Sequence, residues 1–325
     1  MHQVVIFMQP NGSPSTVVGP HEVFNTAGRT FARLTRQKAE RLFQVQLASR
    51  DGAPVTFQNG LQISADGCLT DFDAPDIVII GSCGADFQPD PDRDREIVDW
   101  LKTVHRRGAV VASVCTGLGL LAQTGLLDGH RATTHWGSLE DFRRLYPDIE
   151  IAGDQLFIEN GNVLTGGGSY AGNDLALFIV GKFCGDTVKQ ETARALVLDA
   201  QRPDQTAFAG MMHHRIHSDG QIHRIQDWLE QEYSTDVSVD DVARMFNMSP
   251  RNFHRRFRQA CGVTPLSYLQ KQRVEAAKSL LERSPKHIDQ IAAEVGYTDA
   301  NHFRRLFKRL TTDTPRSYRE RFRIS

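Results

Sequence analysis

One thiol and two clusters of cations carry most of the chemistry this chain could perform. Cys115 stands in SVCTG, between the strand-like run VVASV and the helix-like run LGLLAQTGLL, with the small residues Ser113 and Gly117 close by. A cysteine on a sharp strand-to-helix turn has the layout of a nucleophile elbow with Cys in place of Ser. A thiol at a helix N-terminus is favoured as thiolate by the helix dipole, so the spacing predicts a lowered pKa. Catalysis additionally needs a base or acid within hydrogen-bond reach. The candidates are Glu22, read as opening a helix, and His135, read as packing at a strand end beside Trp136. The cations lie far downstream with polar neighbours, as Arg251, His254, Arg255 and Arg258 and again as Arg304, Arg305 and Lys308 beside the amide of Asn301. Guanidinium and amide groups at helical spacing can pair bidentately with base edges in a major groove.

The elements around the cations form a repeat. NFHRRFRQACGVTPLSY (252 to 268) aligns with HFRRLFKRLTTDTPRSY (302 to 318) at an offset of 50, which superposes Phe253 on Phe303, Phe257 on Phe307 and Tyr268 on Tyr318. Upstream, VDDVARMFNMS matches DQIAAEVGYTD when the offset falls to 49, so the second copy has a turn one residue longer. Each copy reads as a short helix (Val239 to Phe246; Ile288 to Val295), a tight turn and a second helix opened by a cap, Ser249 or Asp299. That is a helix-turn-helix. The phenylalanines at i,i+4 must pack inward, which turns the cationic positions outward. Between the copies, Ser267 to Arg283 reads as a helix about 25 Å long. Such a spacer suits two recognition helices set in successive major-groove segments, roughly 34 Å apart.

Charge divides the chain in the same place. Residues 221 to 325 hold 19 Lys and Arg against 13 Asp and Glu, while the remainder holds 19 against 26. A polyanion partner is therefore expected for the C-terminal third alone. Cys68, Cys83, Cys115, Cys184 and Cys261 are odd in number, scattered and without a CxxC pair, which excludes a disulfide framework and a structural zinc site. No metal and no cofactor are expected. Residues 201 to 221 lack periodicity and read as a linker, and His213, His214, His217 and His223 are assigned to it rather than to a metal. No run approaches the roughly 18 apolar residues that span a bilayer, so a cytoplasmic protein is expected.

The positions before 200 read as alternating strands and helices. Val4 to Met8, Val45 to Ala48, Ile77 to Ile80 and Val110 to Val114 have the length and branching of buried parallel strands. DREIVDWLKTVHRRG places Ile97, Val98, Leu101 and Val104 at helical spacing between the last two. SLEDFRRLY predicts a further helix, Asn160-Gly161 a hairpin turn, and residues 172 to 200 one long helix.

The doubled unit, above all IAAEVGYTDANHFRRLFKRLTTDTPRSYR, resembles the DNA-binding domain of AraC/XylS regulators over about residues 222 to 322, with Thr312 or a neighbour where a glycine is usual. The resemblance implies action at promoters, commonly as an activator touching RNA polymerase. GPHEVF (19 to 24), SVCTG, LLDGHRATTHW and LTGGGSYAGND resemble the PfpI-type branch of the class I glutamine-amidotransferase-like fold, isocyanide hydratases in particular. PfpI-type peptidases carry a histidine after the elbow cysteine, and this chain has Thr116, as hydratases do. Hydratases use an aspartate four residues before the proline of the first motif; here that residue is Thr16. The combined architecture is similar to GlxA-like, amidase-domain AraC regulators.

The fold expected is an α/β, parallel-sheet PfpI-type domain (1 to 200) followed by an all-α double helix-turn-helix domain (222 to 325). By resemblance the first senses a small-molecule effector, an amino acid or quaternary amine, and forms a homodimer. Cys115, Thr116, Thr16, His135, Gly167 and Gly168 are its expected ligand residues. A regulator without enzymatic turnover is the leading expectation. The alternatives are a cysteine-dependent hydratase or amidase fused to a DNA-binding domain, and a thiol redox sensor at Cys115.

Overall fold

Alternation of side chains along the early strands sorts them onto two faces, and each face builds its own core. In the computed structural model, which describes residues 1–153, 155–199, 211–215, 217 and 219–323, the chain divides into two units, Met1–Gln205 and Thr206–Ser325. The first unit contains strands β1 (His2–Phe7), β2 (Phe43–Ser49), β3 (Gly67–Cys68), β4 (Ile77–Ile80), β5 (Val110–Val114), β6 (Phe157–Asn160) and β7 (Val163–Gly166). They form one sheet in the order β6-β7-β5-β4-β1-β2-β3, parallel except for the β6–β7 hairpin at its edge. Val4 and Ile6 of β1 pack with Ile77 and Ile79 of β4 on one face, while Val5, Phe7, Val78 and Ile80 pack on the other. Strands buried on both faces require helices on both sides.

Those helices are α1 (Ser15–Thr26), α2 (Pro91–Arg106), α3 (Leu118–Ala122), α4 (Leu139–Leu145), α5 (Ala171–Cys184) and α6 (Asp186–Leu196). Ile97, Leu101 and Val104 of α2 are buried against one face, with Leu118 and Leu121 of α3 and Phe142 of α4. Helices α1, α5 and α6 cover the opposite face. Two sequence expectations need correction here. The single helix expected over 172 to 200 breaks at Gly185, where φ of 88° leaves the helical region and separates α5 from α6. Glu22 does not open a helix; it lies in the second half of α1, which begins at Ser15.

The second unit contains α7 (Gly220–Gln231), α8 (Val239–Met245), α9 (Pro250–Cys261), α10 (Pro265–Arg283), α11 (Ile288–Glu294), α12 (Ala300–Thr311) and α13 (Pro315–Phe322). The pair α8 and α11 starts 49 residues apart, and the pairs α9/α12 and α10/α13 start 50 apart, as the alignment requires. Each copy has its own core, one centred on Phe253, Phe257 and Tyr268 and the other on Phe303, Phe307 and Val295; Tyr233 packs against both. Ser249 Oγ caps α9 by accepting from Asn252 N, and Asp299 Oδ1 caps α12 by accepting from Asn301 N at 2.8 Å. After α9, Gly262 turns the chain in the left-handed region at φ 73°. After α12, Thr312 does so at φ 65°, which singles it out among the residues read as standing where a glycine is usual.

The segment read as a linker is only partly one. Residues 201–210 lie outside the described residues, as does the side chain of His213. From Met211 onward the chain is fastened to the second unit. His214 is buried; its Nδ1 donates to Cys261 O at 2.8 Å, and Lys271 Nζ donates to its Nε2 at 3.1 Å. Arg215 pairs with Asp227 and Glu230 of α7, and Asp219 both caps α7 and holds Arg256 of α9 in a fork at 2.5 and 2.8 Å. His217 stacks on His223 with ring centroids 4.1 Å apart. Polar side chains with specific partners, rather than apolar periodicity, order this stretch, so the hydrophobic pattern could not reveal it.

Candidate functional site

Helices α9 and α12 present their cations because their apolar residues leave no other orientation. Phe253, Phe257, Phe303 and Phe307 are fully buried, and Arg251, His254, Arg255, Arg258, Asn301, Arg304, Arg305 and Lys308 are all exposed. Burying an aromatic or large aliphatic side chain is worth about 1.5–3 kcal/mol, so the two phenylalanines of each helix fix its rotation about its axis. The structure thus brings all eight residues to the surfaces of two second helices in tandem. They are not equivalent there. Arg255 donates to Asn252 Oδ1 and Arg304 to Asn301 Oδ1, each at 3.0 Å. Arg304 also pairs with Asp289 of α11, and at the matching position His254 faces Asp240 of α8 at 4.0 Å. Asn252, Gln259, His302 and Arg309 are exposed on the same two helices and were missed in the sequence. Their signal was present: each neighbours the selected positions on the helix and is polar.

The elbow is well formed in backbone and altered in chemistry. Cys115 follows β5 directly at φ 59°, in the left-handed region that strains a residue with a side chain. Gly117 holds the turn against β4: a Cβ there would lie 2.5 Å from Ile80 O and 2.6 Å from Gly81 O. The lowered thiol pKa expected from the sequence is not found. Burial pushes the Cys115 thiol up, opposed by hydrogen bonds from Thr116 and Ser169. Helix α3 is only five residues long, and desolvation outweighs its dipole. Cys83 stands close by, its N–H donating to Thr116 Oγ1 at 3.2 Å, and burial pushes its thiol up to about 11.

The remaining residues expected at this site divide into two groups. Thr116 and the 166–169 loop adjoin Cys115, and Thr134 Oγ1 donates to Cys115 O at 2.8 Å. Gly167 is pinned by its N–H to Leu156 O, and Gly168 O accepts from Ala171 N at the start of α5. Thr16 is fully buried, donating to Ser13 O at 2.7 Å and accepting from Ser82 N at 3.1 Å. It ties the start of α1 to the loop after β4. His135 Nδ1 accepts from Gly137 N at 3.0 Å, its ring lies on Trp136, and burial lowers its pKa. A groove of about 480 Å³ opens between α1, the start of α5 and the chain after α6, lined by Val18, Glu22, Leu61, Tyr170, Asn173 and Leu198. None of the six residues expected to contact a ligand lines it.

Among the described residues no group of three or more His, Cys, Asp or Glu could hold a metal ion, and no helix is long and apolar enough to cross a membrane. The profile of the DJ-1/PfpI family matches residues 3–182, and that of a helix-turn-helix domain matches residues 242–321. The HTH-type transcriptional regulator CdhR of Pseudomonas aeruginosa is 26% identical over 291 residues, covering 87% of this chain and 80% of its own. GbdR, also an HTH-type transcriptional regulator of Pseudomonas aeruginosa, is 27% identical over 291 residues, covering 89% and 78%. The crystal structure of an AraC family transcriptional regulator from Pseudomonas putida shares the fold over 60% of this chain and 100% of its own, with a TM-score of 0.51 at 19% identity.

Proposed function

The chain belongs to the DJ-1/PfpI family and carries an AraC-type helix-turn-helix region behind that fold, and on this premise we propose that it is a sequence-specific, DNA-binding transcriptional regulator governed by a small molecule. The observation that carries the reading is the pair of exposed cationic helices, built twice on buried phenylalanines, with the 19-residue helix α10 contributing Tyr268 and Leu269 to the first core and Val274, Ala277 and Leu281 to the second. A helix of that length spans about 28 Å, close to the roughly 34 Å between successive major-groove segments. Promoter DNA is the macromolecular partner. The protein acts in the cytoplasm as a homodimer formed by the first unit, and activates by touching RNA polymerase. Selection of bound duplexes from a random pool by the full chain tests the core of this reading. One bipartite sequence should be enriched at about 100 mM salt, with retention falling steeply as salt rises because phosphate contacts release counterions. Enrichment of no common sequence would overturn it.

The elbow serves recognition rather than turnover. Its thiol is buried and held protonated, and Thr16 occupies the place where hydratases carry a carboxylate. Cys115, Thr116, Thr16, His135, Gly167 and Gly168 form the part of the first unit that responds to an effector, an amino acid or a methylated amine. Thermal shift of the full chain against a panel of both classes identifies it, since a ligand that prefers the native state raises the unfolding temperature. Cys115→Ala should retain effector-dependent promoter activity. Substrate turnover by the wild type that vanishes in this variant would install the enzyme reading instead.

A further inference from the structure

The two helix-turn-helix copies have separate cores, so something besides α10 must set the angle between their recognition helices. Arg273, midway along α10, is placed to do this. Its Nε donates to Tyr233 O at 2.7 Å and one terminal nitrogen donates to Thr235 O at 3.0 Å, gripping the chain that leaves α7 in the first copy. The same guanidinium lies 5.1 Å above the ring of Tyr297, in the turn of the second copy. Tyr297 in turn packs on His302 and Phe303 in the first turn of α12, with ring centroids 5.8 and 5.6 Å away. Gly296 completes the joint. A Cβ there would lie 2.8 Å from Ser234 O and 3.0 Å from the guanidinium, at a φ of 87° that side chains rarely adopt.

We propose that Arg273, clamped between the carbonyls of Tyr233 and Thr235 and the ring of Tyr297, is the positioning residue that fixes the spacing of the two DNA boxes one protomer reads. It touches no base; it transmits the orientation of the first copy to α12 through Tyr297. The planar fork is what allows one side chain to hold two carbonyls and lie flat over a ring together, and a lysine ammonium cannot do both. The inference rests on the DNA-reading function proposed above and adds to it the source of its spacing selectivity.

The test uses the full chain and the bipartite duplex it selects from a random pool, with versions that carry one base pair more or fewer between the boxes. One base pair shifts the second box by about 3.4 Å and turns it by about 34°, which a rigid pair of helices cannot follow. The wild type should lose at least about tenfold in affinity on either altered spacing, a difference well within the range of specific over non-specific binding. Arg273→Lys and Arg273→Met should bind the selected duplex more weakly yet lose less than about threefold further on the altered ones. Their penalty for a base change inside either box should stay as in the wild type. Far-ultraviolet circular dichroism and a cooperative unfolding transition of the second unit report whether the variants fold, and Arg273→Lys carries the test if Arg273→Met does not. An unaltered spacing penalty in a folded Arg273 variant overturns the proposal, as does a wild type indifferent to spacing. Failure to select any duplex overturns the DNA-reading function itself, which separates the two.

Discussion

The elbow of the first unit and the recognition helices of the second treat their sequence motifs in opposite ways. At the elbow the backbone keeps the motif in full, with Cys115 at φ 59° and Gly117 pressed on β4, while the reacting group is buried and protonated. At the second recognition helix it is the residue type that departs from the motif, Thr312 making the left-handed turn that Gly262 makes in the first copy, yet every predicted cation reaches solvent. Geometry and chemistry are therefore separable inheritances. A motif read from sequence reports the first more directly than the second, because burial depends on neighbours from distant parts of the chain.

The largest expected effect tests whether the phenylalanines orient the cations. Phe257→Ala and Phe307→Ala should each cost about 3–5 kcal/mol of stability, read as a fall in the denaturant midpoint of the second unit. If one copy tolerates the change, the two helices are not held alike. Next come the cations themselves. Arg255→Ala and Arg305→Ala should each cost about 1–3 kcal/mol on the selected duplex and relax preference at one base pair. An equal loss on every sequence would assign them to phosphate. A smaller effect follows from the left-handed turn: Thr312→Gly should gain about 1 kcal/mol and Gly262→Thr should lose about as much, measured by equilibrium unfolding. No gain at Thr312 would mean that its backbone strain is relieved by local contacts such as its hydroxyl bond to Thr311 O.

The last effect belongs to Cys83 beside the elbow, is absent at neutral pH and appears only in alkali. Burial raises the folded pKa of Cys83 to about 11, above the ordinary thiol value, so the native state favours the protonated form. Stability from this source is complete below about pH 9 and is lost as pH rises toward 11, since the unfolded chain ionises first. Stability measured across that interval should fall less in Cys83→Ser than in the wild type. Cys115, raised by the same cause, should react slowly with iodoacetamide at pH 7.5, and fast alkylation there would show an activated thiol after all.

The sheet, the two helix-turn-helix copies and the one-residue difference between their turns were legible in the sequence, because each leaves an apolar period or an alignment. Val4 to Phe7 alternate between two cores, and Phe253 and Phe257 mark one helix face. What was not legible depends on contacts across the fold. The raised pKa of Cys115 comes from burial by the surrounding fold, which outweighs the opposing hydrogen bonds of Thr116 and Ser169. By contrast, Asn252, Gln259, His302 and Arg309 were legible from their polar type and their places on the two helices, and were passed over all the same. The break at Gly185 was hidden within an otherwise continuous helical pattern.

The polar fastening of residues 211–219 redraws the boundary at which the second unit can be cut or transplanted. A fragment starting at Ile222 would remove the cap of α7, the acid that holds Arg256 of the first recognition helix, and the imidazole seated on Cys261 O. The portable module therefore begins no later than Met211. Anyone grafting this reader of DNA onto a different sensor should place the seam upstream of that residue, where the graft leaves in place the partners of α7 and α9 found among residues 211–219.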